Sequence, residues 1–198
     1  MKRKELQRIL SQLKPLRPKI KFEQYATPAD VAATLLWYAY MDGNIAGRSV
    51  ADLGCGNGIL AIGAKLLGAE RVIGIDIDED AIKTARKNAA QLGLEVDFLC
   101  MDIGDFNEKV DTVVMNPPFG IQSKYKDVDF LIKAFQVAEF VYSIHKSGSD
   151  EFIFRFAQGK ARAYKLTQEL FSIPATFDFH KRKVFRIDVS LWKFEVIR

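Results

Sequence analysis

The sequence predicts an α/β protein with a mainly parallel β-sheet that ends in an antiparallel hairpin. Short apolar runs, typical of buried strands, alternate with amphipathic segments of helical length. Strands separated by helices pair in parallel through right-handed crossovers. Near the end of the chain, two β-rich runs flank Lys181-Arg182-Lys183, which indicates a closing hairpin on this sheet.

The predicted elements follow one another in a regular order. Apolar periodicity and turn residues predict helices over 4–13, 28–40, 59–67, 80–92, 128–139 and 150–164. The same criteria predict seven strands, over 50–53, 71–77, 96–101, 110–115, 140–144, 175–180 and 184–196. Thr27-Pro28 marks the start of the second helix, because Thr is a common N-cap and Pro fits the first helical position.

The length of 198 residues corresponds to one α/β domain, with an N-terminal helix and basic arm over 1–27 and a core over 28–198. Cys55 and Cys100 are the only cysteines, so no disulfide framework or cysteine-based metal site is expected. The longest apolar stretches are far shorter than a membrane span, and the N-terminus lacks the apolar run of a signal peptide. These features predict a cytosolic protein without a metal site.

Charge is distributed unevenly along the chain. Residues 1–21 contain eight basic residues (Lys or Arg) and one acidic residue. Residues 22–144 contain ten basic and eighteen acidic residues, and residues 145–198 contain eleven basic and six acidic residues. Basic ends around an acidic centre suggest a polyanion held at the flanks. Solvated basic faces and acids at helix N-terminal turns would produce the same pattern, so charge alone does not identify a partner.

A glycine-rich turn follows the first strand. The strand ends in Asp52-Leu53 and continues into Gly54-Cys55-Gly56-Asn57-Gly58 and a helix that opens at Ile59. Glycines at this point allow the backbone to approach a ligand closely. The spacing is G-x-G-x-G rather than the dinucleotide pattern, and an acid such as Asp52 suits the ammonium group of a methionine better than a pyrophosphate.

Acidic residues follow the second and third strands. Asp76, followed by Ile77, lies twenty-two residues after Gly54, where a carboxylate can accept both hydroxyls of a ribose. Asp102 can accept from an adenine amino group, and the backbone N–H of Ile103 can meet the ring. Glycines, Asp and Asp at three successive strand ends predict S-adenosylmethionine as the cofactor.

The most specific motif is Asn116-Pro117-Pro118-Phe119, directly after the fourth strand. The exocyclic N6 of adenine is a poor nucleophile because its lone pair is delocalised. The Asn116 side-chain oxygen and the Pro117 carbonyl, as two acceptors, would draw the nitrogen toward pyramidal geometry. Phe119 offers a face on which the base can stack, worth about 1–3 kcal/mol. The motif therefore predicts methyl transfer to a planar amine without a titratable base.

At these residues the chain resembles the methyltransferase-like protein 5 family, whose members methylate adenine N6 in small-subunit ribosomal RNA and have a Rossmann-like class I methyltransferase fold. The resemblance covers nearly the whole chain and includes the segments 23–28, 116–120, 142–146 and 179–183. It implies that Gln24 and Thr27 close over the methionine end of the cofactor. It also implies that the cofactor site is lined by Gly54, Asn57, Ile59, Asp76, Asp102 and Ile103. Ile121 stands where the family pattern has Thr. In eukaryotic members a small zinc-binding activator subunit stabilises the enzyme.

Phosphate contacts are expected from the basic residues at both ends of the chain. These are Lys2, Arg3, Lys4, Lys19, Lys21, Lys181, Arg182 and Lys183. A solvated hairpin turn is the alternative for the last three.

Three other functions share parts of this pattern. A protein glutamine N-methyltransferase would use the same acceptor geometry, but its relatives carry an N-P-P-Y pattern and an additional helical domain. A DNA adenine methyltransferase usually needs a target-recognition domain, for which this chain has no room. A catalytically silent RNA-binding scaffold would not need the intact glycine, Asp and Asn-Pro-Pro-Phe motifs. The sequence therefore favours an enzyme that methylates adenine N6 in RNA.

Overall fold

The computed structural model describes residues 1–16, 27–118, 127–174 and 184–198. The helices are α1 (Arg3–Leu10), α2 (Ala29–Met41), α3 (Ile59–Leu66), α4 (Glu79–Gln91), α5 (Asp127–Val137) and α6 (Asp150–Ala157). The strands are β1 (Ser49–Leu53), β2 (Arg71–Asp76), β3 (Asp97–Cys100), β4 (Val110–Met115), β5 (Ala138–Lys146), β6 (Ala161–Pro174) and β7 (Val184–Val196).

The strands form one seven-stranded sheet in the order β3-β2-β1-β4-β5-β7-β6. The first five strands in this order pair in parallel, and β7 pairs antiparallel with both β5 and β6. The predicted mixed α/β fold with a closing hairpin is confirmed. Chain order reverses between β1 and β4, and ligands of open α/β sheets bind outside the carboxyl ends of the strands at such a point.

Two apolar clusters cover the two faces of the sheet. Helices α1 to α4 contribute to one cluster, which includes Leu6 and Leu10 of α1. Helices α5 and α6 contribute to the other, together with Trp192 and Phe194 of β7. The N-terminal helix therefore packs into the core, because its apolar face lies against α2 and α3.

The final helix and the hairpin differ from the sequence prediction. Helix α6 ends at Ala157 rather than near residue 164, and Gly159 with a φ of 74° turns the chain into β6. The partner of β7 is Ala161–Pro174, whereas the strand predicted over 175–180 and the turn at 181–183 lie outside the described residues. Residues 161–164 also suit a helix, but pairing with β7 stabilises their extended form.

Helix α2 begins one residue later than expected. Pro28 occupies the N-cap position and makes no side-chain cap hydrogen bond, so Thr27 is not the cap of this helix. The hydroxyl of Thr27 instead has a hydrogen-bond partner in the candidate site. Among the described parts of the chain, every helix falls short of the length and apolarity that crossing a membrane requires.

Candidate active site

The predicted site residues come together because the carboxyl ends of four parallel strands are aligned. Leu53 at the end of β1 lies beside Ile75 of β2 and Met115 of β4, and Asp76 lies beside Cys100 of β3. The segments that follow these strands therefore leave the sheet side by side. They carry the glycine turn, Asp76, Asp102 and Asn116, in agreement with their predicted grouping.

The glycine turn is packed on its protein side, and the described residues leave room on its other side. Gly54 has a φ of 72°, and a Cβ at this position would lie 2.9 Å from Cε1 of Phe130 in α5. Gly56 also has a positive φ, but a Cβ there would meet no described atom within 4 Å. Any side chain at Gly54 would be strained and would collide, whereas the described residues leave space beside Gly56 that a ligand can fill.

Asp76 holds the glycine turn at Gly56. Its Oδ2 accepts a hydrogen bond from the Gly56 N–H and its Oδ1 accepts one from the Asp78 N–H, both at 2.9 Å. The side chain is buried, and this burial raises the pKa of the carboxyl although the two backbone bonds oppose the shift. Ile77 beside it is 47 % exposed. Each carboxylate oxygen keeps acceptor capacity for a ligand hydroxyl.

Asp52 lies beneath the turn rather than on its surface. It is 1 % exposed, and its Oδ2 accepts a hydrogen bond of 2.9 Å from the backbone N–H of Ala61 in the first turn of α3. The N-cap of α3 is Gly58, which has no side chain, so Asp52 supplies the missing cap. Burial raises the pKa of Asp52 to about 8, and the nearby Asp76 charge adds to the shift. A helix cap explains this position better than direct contact with a cofactor ammonium group.

Asn57 has a different partner from the predicted cofactor. Its side-chain Nδ2 donates to the carbonyl of Lys14, and its own carbonyl accepts from Nδ2 of Asn88 in α4. Ile59 is buried in the core cluster at the start of α3. Sequence reasoning missed Asn88, although its spacing on the apolar face of α4, with Ala81 and Ala85, could have revealed it.

The segment after β3 is held by a buried lysine. Asp102 caps a short 3-10 turn by accepting a 2.8 Å bond from the Gly104 N–H, and Ile103 is buried next to it. Lys133 of α5 is 8 % exposed, and its Nζ donates to the carbonyls of Gly104 and Phe106. A third bond runs from Nζ to the Asn107 side chain. Lys133 was not predicted, because a single lysine in a helix carries no signal of burial.

Asn116 is oriented by Thr27, which lies just before α2. Its Nδ2 donates to the Thr27 hydroxyl at 2.9 Å, so Oδ1 is the atom left for another partner. That oxygen is buried and has no hydrogen-bond partner among the described residues. Buried carbonyl oxygens are rarely unpaired, and those that are need an explanation. Pro117 is buried and Pro118 is half-buried, and the β4–β5 ladder ends before them because proline has no N–H.

Some predicted residues fall elsewhere. Lys2, Arg3 and Lys4 are exposed at the start of α1, and the Arg3 guanidinium donates to the Thr34 hydroxyl at 2.8 Å. The remaining ones lie outside the described residues: Lys19, Lys21, Gln24, Phe119, Lys181, Arg182 and Lys183. In the four described ranges, no group of three or more His, Cys, Asp or Glu residues could hold a metal ion.

Comparison with known proteins finds relatives that match nearly the whole chain. The model of a family described as ribosomal protein L11 methyltransferase (PrmA) matches residues 33–117. The chain is 38% identical to the rRNA N(6)-adenosine-methyltransferase METTL5 of Danio rerio, over 98% of this chain and 99% of that protein. It is 37% identical to the rRNA N(6)-adenosine-methyltransferase Mettl5 of Drosophila melanogaster, over 91% of this chain and 89% of that protein.

A solved structure shares nearly the whole fold. The crystal structure of PH1948 from Pyrococcus horikoshii superimposes with a TM-score of 0.91 at 40% identity, and covers 100% of this chain and 99% of that one. The matches in sequence and in structure cover nearly the whole chain, well beyond the glycine turn and the strands around it. The chain therefore belongs to the METTL5 family of rRNA N(6)-adenosine-methyltransferases.

Proposed function

We propose that this chain transfers a methyl group from S-adenosylmethionine to the exocyclic N6 of an adenosine in ribosomal RNA. The observation that carries this proposal is the unpartnered, buried Oδ1 of Asn116 beside the open glycine turn. An acceptor that has been withdrawn from water and left unpaired is suited to an N–H donor of a substrate. The family to which the chain belongs supports the same reaction.

The residues at the strand ends fit S-adenosylmethionine. Gly56 borders open space at the turn, which suits the methionine end of the cofactor. Asp76 presents a carboxylate at the end of β2 for two ribose hydroxyls, and Asp102 with Ile103 follows β3 at the position for the adenine ring. When bound, S-adenosylmethionine supplies a methyl group on a positively charged sulfur.

The chemistry assigned to the protein is positioning and hydrogen-bond polarisation. Asn116 Oδ1 accepts from one N–H of the adenine amine, and the Pro117 carbonyl accepts from the other. Because both bonds favour a pyramidal nitrogen, its lone pair becomes available for the transfer. Thr27 keeps Oδ1 aimed at the substrate by holding the opposite atom of the same amide. No titratable base is needed, since the methylated ammonium is acidic and loses its proton to water.

The reaction is tested by identifying the product and by removing the acceptor. The protein is incubated with isotopically labelled S-adenosylmethionine and, separately, with ribosomal RNA, duplex DNA and total protein, and the digests are analysed by mass spectrometry. N6-methyladenosine in the RNA digest is the expected product. Label in glutamine or in DNA, with none in RNA, would contradict the proposal.

The role of Asn116 has its own variants. Asn116→Ala is expected to lower turnover by about 100-fold or more while cofactor affinity stays close to that of the parent protein. Thr27→Val removes the partner of Asn116 Nδ2 and is expected to lower turnover less severely, whereas Thr27→Ser retains the hydroxyl and is the matched control. Turnover of Asn116→Ala equal to that of the parent would exclude the assigned role.

RNA binding by the basic ends of the chain is part of the proposal. Lys2 and Lys4 are exposed on α1, where they can reach phosphates. Lys19, Lys21 and the 181–183 triplet complete the predicted surface on the grounds of charge alone. Arg3 is a weaker candidate, because its guanidinium already has Thr34 as a partner.

A small zinc-binding activator subunit is the second partner that we propose, by analogy with eukaryotic members of the family. Strand β3 is an edge strand of the sheet formed by the described residues, and Leu99 on it is 39 % exposed. An exposed strand edge with an apolar side chain can pair with a strand of another protein. Size-exclusion chromatography and activity of the chain purified alone provide the test, because an active, soluble monomer would show that no activator is required.

A further inference from the structure

We propose that Asn88 is a positioning residue. Its hydrogen bonds connect the segment after α1 to the glycine turn and thereby set the affinity for S-adenosylmethionine. This inference rests on the function proposed above. Asn88 lies on α4 and is completely buried, with an exposed fraction of 0 %. A primary amide in such a place must use its donors and acceptor within the protein, and Asn88 does so with two different segments.

The three hydrogen bonds of Asn88 form a clamp, which we call the Asn88 clamp. Oδ1 accepts from the backbone N–H of Lys14 at 2.9 Å, and Nδ2 donates to the Lys14 carbonyl at 3.1 Å. Nδ2 also donates to the carbonyl of Asn57 at 3.0 Å. The Asn57 side chain completes the clamp with its own bond to the Lys14 carbonyl at 3.1 Å. The side-chain amide of Asn88 therefore connects the segment after α1 with Asn57 in the glycine turn.

The clamp acts on the part of the turn that faces the open space. Asn57 is the residue between Gly56, which borders that space, and Gly58, which has a φ of 84° and begins α3. Asp76 fixes the turn from one side through the Gly56 N–H. The Asn88 clamp fixes it from the other side, through the Asn57 carbonyl. Glycines permit many conformations, so a turn that contains three of them needs such external bonds to keep one shape.

Loss of the clamp should therefore weaken cofactor binding rather than the chemical step. Asn88→Ala removes the bonds to the Asn57 carbonyl and to the Lys14 N–H and carbonyl, and leaves only the bond from the Asn57 side chain between the two segments. We expect the dissociation constant for S-adenosylmethionine to rise roughly tenfold, the scale of coupling through a packed hydrogen-bonded network. Turnover at saturating cofactor and the KM for RNA should remain those of the parent, because Asn116 and Thr27 are untouched.

Changes at Lys14 test the same bonds from the other side. Lys14→Pro removes the N–H that binds Asn88 Oδ1 and should weaken cofactor binding, whereas Lys14→Ala keeps the whole backbone and should leave it unchanged. Ala89→Gly on the same helix is the matched control for stability. It lowers helix propensity at a buried site without touching the clamp, and is expected to reduce stability with no change in cofactor affinity.

Isothermal titration of each variant with S-adenosylmethionine gives the dissociation constants, and amide hydrogen exchange at Lys14 gives an independent readout of the clamp. In the parent we expect slow exchange at Lys14 that slows further on cofactor binding, and in Asn88→Ala we expect fast exchange. If the parent itself does not bind S-adenosylmethionine, the proposed function fails. If the parent binds it and both Asn88→Ala and Lys14→Pro, shown to be folded by circular dichroism, bind equally tightly, the positioning role of Asn88 is refuted.

Discussion

Replacement of Asp52 by Asn provides the sharpest test of how the site is built, because it separates a helix cap from a cofactor contact. Asp52 is buried beneath the glycine turn and accepts the Ala61 N–H. Asn has nearly the same shape and keeps a side-chain oxygen for this bond. The substitution therefore removes the ionisable group while it preserves the cap.

The expected effect on stability follows from the pKa of the carboxyl group. Burial raises this pKa from its ordinary value of 3.8 to about 8. Between these values the folded chain retains the proton and the unfolded chain releases it, so rising pH favours unfolding. The contribution of the protonated Asp52 carboxyl to the free energy of unfolding is complete below about pH 4 and is lost as the pH rises through about 8. Each pH unit in this window corresponds to about 1.4 kcal/mol, so the parent should lose roughly 3 kcal/mol between pH 5 and pH 7 through this group.

Urea denaturation of the parent and of Asp52→Asn across this pH range measures the effect. The free energy of unfolding of the variant minus that of the parent should increase by roughly 3 kcal/mol from pH 5 to pH 7, since groups that do not interact with Asp52 cancel in the difference. A difference that does not change with pH would refute the assigned burial of a protonated carboxyl group.

The same variant tests the predicted contact with the cofactor. If Asp52 caps α3, the affinity of Asp52→Asn for S-adenosylmethionine at neutral pH should stay within about threefold of the parent value. If the carboxylate binds the ammonium group directly, loss of a charged partner should weaken binding by about tenfold or more. Isothermal titration distinguishes the two results.

Three further predictions concern the cofactor, the segment after β3 and RNA. Asp76→Ala should weaken S-adenosylmethionine binding by roughly 2–4 kcal/mol, because it removes the carboxylate that we propose as the acceptor of two ribose hydroxyls. An unchanged binding isotherm would contradict this role of Asp76. Lys133→Met keeps the aliphatic stem but removes three donated bonds, so the free energy of unfolding should fall by about 2–3 kcal/mol in urea titrations. A fall below about 0.5 kcal/mol would show that these bonds contribute little. Replacement of Lys181, Arg182 and Lys183 by Ala should lower RNA affinity and flatten its log–log salt dependence by about one unit or slightly less per phosphate contact. An identical slope would leave the N-terminal residues as the remaining candidates.

The order of strands and helices was predictable because each element carries its own periodic pattern. Strand β4 was predicted with its observed bounds, and β1, β2 and α3 agree to within a residue at each end. The grouping of the glycine turn, Asp76 and Asn116 also followed from the sequence, because parallel strands bring their carboxyl ends to one edge. The end of α6 was predicted wrongly, since residues 161–164 are strand only through their pairing with β7.

The sequence by itself determined the class of fold, the identity of the motifs and the edge of the sheet at which they meet. Only the tertiary structure decided what each side chain does there. Asp52 is a buried cap, Asn57 is bound to Lys14, and Thr27 orients Asn116 rather than capping α2. The physical reason is that hydrogen-bond partners depend on distances between segments far apart in the chain, such as Thr27 and Asn116 or Lys14 and Asn88. Local periodicity predicts which face of a helix or strand is buried, but it does not predict which distant polar atom will hydrogen-bond to a side chain on that face.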